Sequence, residues 1–521
     1  MSALTPVRTA LISVYSKDGL EPLAKTLLES GVEIWSTGGT WDYLQSLGCQ
    51  PRKVEDLTGY PSILGGRVKT LHPKVFGGIL HRNHQIEDLN ELAGYEIPPI
   101  DLVIVDLYPF EKTLRTGASH QALIEKIDIG GVSLVRAAAK NHIQCTILSS
   151  AHQYERLRQQ IQAGGTTLNE RSQYAAEAFA MTSRYDSLIF EYLNQQAANQ
   201  TQEQPSTPLA TPPVNALRIA SDQAHVLRYG ENPHQQGHFF GPLQEQFRIL
   251  SGKALSYNNL LDVDSAVSLL AEFDDPTFVI VKHNNACGLA SRNTLLEAWT
   301  DALAGDPISA FGGILAANCP LDLACAKKID EIFYEVLLAP SFSPEAIEFL
   351  ARKKNRILLQ QIQPIPASIQ IRSVLGGYLV QSPDHTTESV DQFKVVTRKK
   401  PNQTELTDMA FAVKVVKHTR SNAIVLVKNR QLIGSGTGQT SRIDAMRQAA
   451  HKARTFDFDV QGAIMASDAF FPFADSVEVA WQEGIRAVIQ PGGSVKDQDS
   501  IDYCDRNDMC MVMTGVRHFK H

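Results

Sequence analysis

No two cysteines stand in a CxxC pair, and the seven present, at positions 49, 145, 287, 319, 325, 504 and 510, form no even framework. Neither a disulfide scaffold nor a zinc site is expected, and free thiols suit a reducing compartment. Long hydrophobic runs are missing too. The first apolar segment, Ala10 to Val14, is too short for the core of a signal peptide, and no stretch approaches a membrane span. A cytoplasmic protein is the expectation. An excess of positive charge is also absent: 49 Lys and Arg face 56 Asp and Glu, for a net charge of −7. With no basic run and no aromatic ribbon of the RNA-binding type, neither nucleic acid nor membrane is an expected partner. Small anionic substrates remain, held by local positive sites.

The 521 residues suffice for roughly three domains with a large core. From Thr9 onward short apolar runs (TALISV, VEIW, DLVIV) alternate with helical patterns. That rhythm predicts a doubly wound parallel α/β sheet, with ligands at the carboxyl ends of its strands. Thr37-Gly38-Gly39-Thr40 follows the second run and precedes a helix expected near Trp41, offering bare N–H groups and hydroxyls to a phosphate. In Gly65-Gly66-Arg67-Val68-Lys69-Thr70-Leu71-His72-Pro73 two cations alternate with valine, a form suited to an anion or to a solvated turn. Tyr108 lies just past the third run. Ile127-Asp128-Ile129-Gly130-Gly131 opens a helix on which Arg136 and Lys140 share a face.

The centre of the chain is placed at Phe278 to Gly288, FVIVKHNNACG, where a β-branched run ends in Lys282 and His283. Neighbouring strand residues point to opposite faces, so the pair serves one site only if the strand stops or bends between them. A polar, glycine-closed loop is expected next. Before it, residues 194–215 are rich in Gln, Thr and Pro and mark a linker. Beyond that linker lies the polar turn around Arg228 and Tyr229. Later come a glycine turn ending at Arg442 (GSGTGQTSR) and a basic terminus, RHFKH, that contains Arg517. A faint internal echo pairs LDVDSAVSLLAEF and Lys282-His283 with LTDMAFAVKVV and Lys417-His418, and Asp306–Phe311 with Asp468–Phe473. It suggests two related α/β units.

TGGT, GGRVKTLHP, LYPF and IDIGGVSLVRAAAKNH, then LRYGENPHQ, VKHNNACG, DPISAFGG, SNAIVLV, GTGQTSRIDA, SDAFFPF, QPGGS and RHFKH, occur in this order. The series resembles the bifunctional purine-biosynthesis family that joins an inosine monophosphate cyclohydrolase to an aminoimidazole carboxamide ribonucleotide formyltransferase, over nearly the whole chain. The resemblance implies a methylglyoxal-synthase-like N-terminal domain (1–198), a linker (199–215) and two cytidine-deaminase-like subdomains (216–385 and 386–521). It implies ring closure by Lys69, Tyr108, Asp128 and Lys140. The cyclohydrolase nucleotide would be held by Tyr15, Ser16, Lys17, Thr37, Gly38, Gly39, Thr40, Arg67, Val68, Thr70, Ile129 and Gly130. Formyl transfer is implied for Lys282 and His283, with that nucleotide on Arg228, Tyr229, Gly312, Glu335, Asn422, Arg442 and Arg517. Ile443, Phe470, Ser494 and Val495 would face the folate.

A homodimer is implied, as are 10-formyltetrahydrofolate as cosubstrate and no bound cofactor. The deaminase zinc signature, H-x-E with P-C-x-x-C, is absent from the sequence. Three positions depart from the family pattern. Asp106 stands where asparagine is common before LYPF, Ala286 replaces a proline that would rigidify a loop, and Glu335 replaces an aspartate of some members. Histidine, the residue type whose unperturbed pKa of about 6.5 lies nearest neutrality, suits a general base at position 283. Lys282 suits either oxyanion stabilisation or protonation of the leaving nitrogen. Among Lys140, Asp128 and Tyr108, which group donates and which accepts stays open.

Overall fold

The computed structural model describes residues 4–64, 68–200, 216–219, 221, 224–365 and 369–521. Two compact units emerge, Met1–Asp222 and Gln223–His521. Gly65, Gly66, Arg67 and most of the expected linker (201–215) lie outside the described residues.

In the first unit β1 (Thr9–Ser13), β2 (Glu33–Ser36), β3 (Arg52–Lys53), β4 (Leu102–Val105) and β5 (Thr146–Leu148) form one sheet in the order β3-β2-β1-β4-β5. Every pairing is parallel. Helices cover both faces of such a sheet, so its central strands are continuous apolar runs: all four residues of β4 are buried. The order reverses between β1 and β4, and the crevice at their carboxyl ends is where open α/β sheets bind ligands. The β2 turn leads directly into a helix that begins at Gly38, three residues before the position expected from the sequence, because the two glycines themselves form its first turn. A 33-residue helix, Leu168–Gln200, packs Tyr174, Ala175 and Ala178 into the sheet's core. Farther along, Tyr185 and Tyr192 cluster with Phe110 and Leu123.

The second unit opens with a ribbon of β6 (Ala224–Val226) and β7 (His238–Phe240), then β8 (Phe247–Ser251). Its first half continues with β9 (Thr277–Lys282), β10 (Asn285–Ser291), β11 (Ile314–Ala317), β12 (Val336–Ala339) and β13 (Ile357–Gln361). An exposed hairpin of β14 (Gln370–Val374) and β15 (Gly377–Gln381) separates this from the second half. That half holds β16 (Lys394–Val395), β17 (Ile424–Lys428), β18 (Gln431–Gly436), β19 (Ile464–Ser467), β20 (Ala487–Gln490) and β21 (Cys510–Met513). Twelve strands make one sheet, β16-β21-β20-β19-β17-β18-β10-β9-β11-β12-β13-β8. The order is the same read outward from either side of the β18·β10 seam: a hairpin, then three parallel strands, then one antiparallel edge strand.

The internal echo is therefore a repeat of architecture, with two corrections. Lys282 ends strand β9, whereas Lys417 ends the helix Gln403–Lys417 and precedes strand β17, so the two Lys-His pairs are not equivalent. Asp306 follows a helix and Asp468 follows β19, so these clusters do not correspond either. The true correspondence is a glycine in each hairpin. A Cβ on Gly288 would lie 2.0 Å from the Ala302 carbonyl oxygen, and one on Gly436 would lie 1.9 Å from that of Ala445. Each hairpin carries its helix, Leu295–Gly305 or Arg442–Thr455, at a distance that only glycine allows.

Candidate functional sites

The first site forms where β1, β2 and β4 end. Thr40 accepts a hydrogen bond from the Val14 N–H at 3.1 Å and donates to the Val14 carbonyl at 2.9 Å, locking the β2 turn against the end of β1. The Thr37 hydroxyl is buried with no hydrogen-bond partner among the described residues, which leaves it available to a ligand. A Cβ on Gly38 would lie 3.2 Å from Lys69 Nζ, and one on Gly130 would lie 3.3 Å from Thr70 Oγ1. The Lys69-Thr70 pair thus spans the turns Thr37–Thr40 and Ile129–Gly131.

Tyr15 and Tyr108 meet edge to face at 5.6 Å. Lys126, which sequence reasoning missed, holds its ammonium 5.4 and 5.7 Å from the two ring centroids. Asp128 accepts from the Gly131 N–H at 2.6 Å, and its own N–H donates to the Tyr185 hydroxyl, which in turn donates to the Lys126 carbonyl. Burial raises the Asp128 pKa, aided by the Asp106 charge and resisted by N–H bonds from Gly131 and Tyr108. Burial likewise raises that of Tyr108, with the Asp128 charge adding to it. A carboxyl poised to carry a proton beside a phenol is a proton-transfer arrangement.

Asp106 does not point a free charge at the crevice. Its carboxylate accepts from the backbone N–H groups of Tyr15 and Ser16. Burial nevertheless raises its pKa, against those bonds and the Lys17 charge. Lys17 donates to the Val14 carbonyl and to Thr40 Oγ1, and burial lowers its pKa. Val68 is half-buried, and Gly39 and Ile129 are exposed on the same turns. Lys140 is the exception. It ends the helix Gly130–Lys140, about 15 Å along the axis from Gly130 at 1.5 Å per residue. There, with Arg136, Phe76, His142 and Phe179, it lines an open groove of about 480 Å³.

In the second unit the strand does stop at Lys282. It gives way to a tight hairpin turn and not to the expected loop: His283 and Asn284 have φ of 53° and 63°, and Asn285 already belongs to β10. Ala286 consequently sits in a strand opposite Val281, so no loop is left for a proline to stiffen. Asparagine tolerates the left-handed region; histidine adopts it less readily. The turn is held by Asp262, on the helix Tyr257–Leu270, which accepts from the Asn284 N–H at 2.6 Å and from that of His283. Burial raises the Asp262 pKa, while those N–H groups and the His283 side chain oppose the rise. Sequence reasoning missed this residue; its only trace is an acid on a helix whose neighbours Val263 and Ala266 are core. His283 is exposed, and Lys282 Nζ donates to the Phe311 carbonyl at 2.8 Å, next to Gly312 with its φ of 75°.

Other expected binding residues are already engaged. Arg228 reaches Asn259 Oδ1 at 3.3 Å and stacks 5.5 Å from the Tyr229 centroid. Glu335 pairs with Lys253 at 2.9 Å. Asn422 donates to the Gln439 carbonyl at 2.9 Å. Arg442 forms a buried ion pair with Asp468 at 2.9 Å, and both it and Arg517 lie over the Phe519 ring. The aromatic run Phe470–Phe473 divides: Phe471 is wholly buried in this unit's own core, Phe470 is half-buried, and Phe473 is exposed under the Lys496 ammonium. Val495 is fully exposed beside Ser494, and Ile443 is half-buried.

A parallel sheet with glycine turns and clustered cations at its switch point, joined in one chain to a hairpin that presents lysine and histidine together, defines an α/β enzyme of acid–base chemistry on small anionic substrates. A family model described as AICARFT/IMPCHase bienzyme matches residues 138–452, and one described as MGS-like domain matches 19–133. The chain is 53% identical to the bifunctional purine biosynthesis protein PurH of Bacteroides thetaiotaomicron, with 100% of both chains covered. It is 44% identical to the PurH of Aquifex aeolicus (98% of this chain, 100% of the relative) and 44% to that of Caldicellulosiruptor bescii (99% and 100%). The chain belongs to the AICARFT/IMPCHase bienzyme family.

Proposed function

We propose that the two activities of this bifunctional enzyme, formyl transfer to 5-aminoimidazole-4-carboxamide ribonucleotide and dehydrative closure of the product to inosine monophosphate, are divided between the two sites above. The observation that carries the assignment is the tight turn that presents His283 beside Lys282 in one unit, with the Lys69, Tyr108 and Asp128 group in the other. In transfer from 10-formyltetrahydrofolate, the nucleotide's amine attacks the formyl carbon and His283 takes the amine proton. The bond from that carbon to the folate nitrogen breaks, and the nitrogen gains a proton. Lys282 stabilises the oxyanion or supplies that proton. A positioned base contributes roughly 10² to 10⁴ in rate and an oxyanion donor roughly 10² to 10³. In ring closure the carboxamide nitrogen attacks the formyl carbon of the same molecule, and water leaves. Because the reactants are tethered, the protein fixes a conformer and moves protons. Asp128 and Tyr108 exchange them, Lys69 faces the oxyanion, and the Thr37 hydroxyl, without a partner among the described residues, contributes to a phosphate cradle.

Closure is assigned to residues 1–198, residues 199–215 to a linker, and transfer to the halves 216–385 and 386–521. A cytoplasmic homodimer is the working state. No helix among the described residues is long and apolar enough to cross a membrane. The β14–β15 ribbon leaves Ile371, Leu375, Tyr378, Leu379 and Val380 exposed, an apolar surface a second copy would cover. In that dimer Ile443, Phe470, Ser494 and Val495 face the folate across subunits. Supplying ribonucleotide and formyl-folate to the purified chain should yield inosine monophosphate, and fragment 1–198 should close the ring alone. Transfer should fall on dilution while closure by the fragment does not. Constant transfer per chain in a demonstrated monomer would exclude the shared site.

A further inference from the structure

His518 is buried among groups that only accept hydrogen bonds. Its Nδ1 lies 2.6 Å from Asp384 Oδ2, and its Nε2 lies 3.0 and 3.2 Å from the two oxygens of Glu388. Its ring is 4% exposed and the Glu388 side chain 3%. A neutral imidazole has one donor, so two carboxylates on opposite nitrogens call for the doubly protonated ring. The His518 N–H donates to the Asp468 carbonyl at 2.9 Å, and two residues on, Lys520 and Ser421 exchange hydrogen bonds at 3.0 and 2.9 Å. The segment so fastened brings Arg517 to 4.4 Å from the Phe519 centroid, with Arg442, paired to Asp468, 5.8 Å from the same ring. The carboxylates sit on a strap that is itself anchored: Thr387 donates to Glu272 and accepts from Lys417, each at 2.8 Å.

We infer that His518 is a positioning residue for formyl transfer, its imidazolium fastening the terminal segment through Asp384 and Glu388 so that Arg517 is held beside Arg442. The inference rests on the proposed role of Arg517 in holding the nucleotide. The charged groups around the ring are Asp384 and Glu388 on the strap, Glu272 and Lys417 beyond Thr387, the Arg442–Asp468 pair, and Arg517 and Lys520 on its own segment. Burial is the largest single influence and pulls the His518 pKa down, but the bonds and charges of Glu388 and Asp384 outweigh it and hold it above the ordinary value. A raised histidine pKa means the clamp is fully present below the ordinary value near 6.5 and is lost as pH rises through the raised one.

The test is the pH profile of formyl transfer by the full-length enzyme, with nucleotide KM and kcat measured separately. Wild type should show nucleotide KM rising roughly tenfold through one ionisation on the alkaline side, the scale of losing a charge-assisted hydrogen bond. His518→Gln should abolish that ionisation and fix KM near its alkaline limit at every pH. Glu388→Gln should move the ionisation to lower pH, and it decides the matter if His518→Gln does not fold. Arg517→Ala tests the underlying reading, since unchanged nucleotide KM there removes Arg517 from the site whatever His518 does. If Arg517→Ala raises KM but the alkaline limb survives in His518→Gln, or stays in place in Glu388→Gln, the positioning role is overturned.

Discussion

Replacing Asp262 with alanine should cripple formyl transfer without touching a reacting group. His283 and Asn284 sit in the left-handed region, at a cost of about 1–2 kcal/mol for the histidine and less for the asparagine. The Asp262 carboxylate offsets that cost through the N–H groups of both residues. Hydrogen bonds to a charged group contribute about 1.5–3 kcal/mol each, so removal withdraws about 3–6 kcal/mol before water replaces part of it. A net loss of about 1.4–2.8 kcal/mol in the population of the tight turn corresponds to about tenfold to a hundredfold in kcat/KM. Asp262→Asn retains one acceptor and should fall between. Transfer would be followed by the change in folate absorbance, ring closure by appearance of inosine monophosphate, and folding by far-ultraviolet circular dichroism. Full transferase activity in folded Asp262→Ala would refute the claim that the turn needs this carboxylate. Equal loss of both activities would refute the separation of sites.

His283→Ala should abolish transfer and leave closure intact, whereas Lys69→Ala and Asp128→Asn should do the reverse, measured on the same preparations with each substrate supplied separately. Lys140→Ala, about 15 Å along its helix from Gly130, should depress closure only if the groove it lines joins the site; normal closure in the folded variant would remove it from the chemistry. Burial tends to raise the Glu272 pKa, but hydrogen bonds from His418, Lys417 and Thr387 hold it at about 2. Its contribution to stability is therefore present above the ordinary value and lost as pH falls toward 2. Glu272→Gln should lower Tm at neutral pH, with the gap to wild type closing below about pH 4. Gly288→Ala forces a methyl group to within 2.0 Å of a backbone oxygen and should destabilise the second unit by at least about 1–3 kcal/mol in denaturant titrations.

Strands such as LVIV and FVIV were legible because strands buried on both faces are written as unbroken apolar runs, whether their neighbours are parallel, as for β4, or antiparallel, as for β9. The turn Thr37–Thr40 was legible because paired glycines at a strand-to-helix junction have few other uses, and Ile129–Gly131 because its glycines open the helix Gly130–Lys140. The hairpin after Lys282 was not. NNACG reads as a loop by composition, and it becomes a strand because an acid twenty-two residues upstream captures the turn. The role of Lys140 came from the resemblance, since periodicity reports the face it shares with Arg136 on the helix Gly130–Lys140 and not how far along the axis it lies. The aromatics after β19 look alike in sequence, yet Phe471 is wholly buried while Phe473 is exposed, a division that no local pattern announces. Partnerships such as His518 with Glu388, 130 residues apart, leave no local pattern.

The seam between β10 and β18 carries a consequence for biosynthesis. Each hairpin would present a bare strand edge if its half stood alone, and unpaired edges recruit whatever strand comes next. During translation the first half, complete by β13, has to wait for about seventy more residues before β17 and β18 emerge, roughly 4–14 s at ordinary elongation rates. For that interval β10 is an adhesive margin on a nascent chain, and in a polysome the nearest candidate to occupy it is the same strand of the chain ahead. Slow codons between Gln361 and Ile424 would lengthen that exposure, so expression yield in this protein should be set by the speed of that stretch.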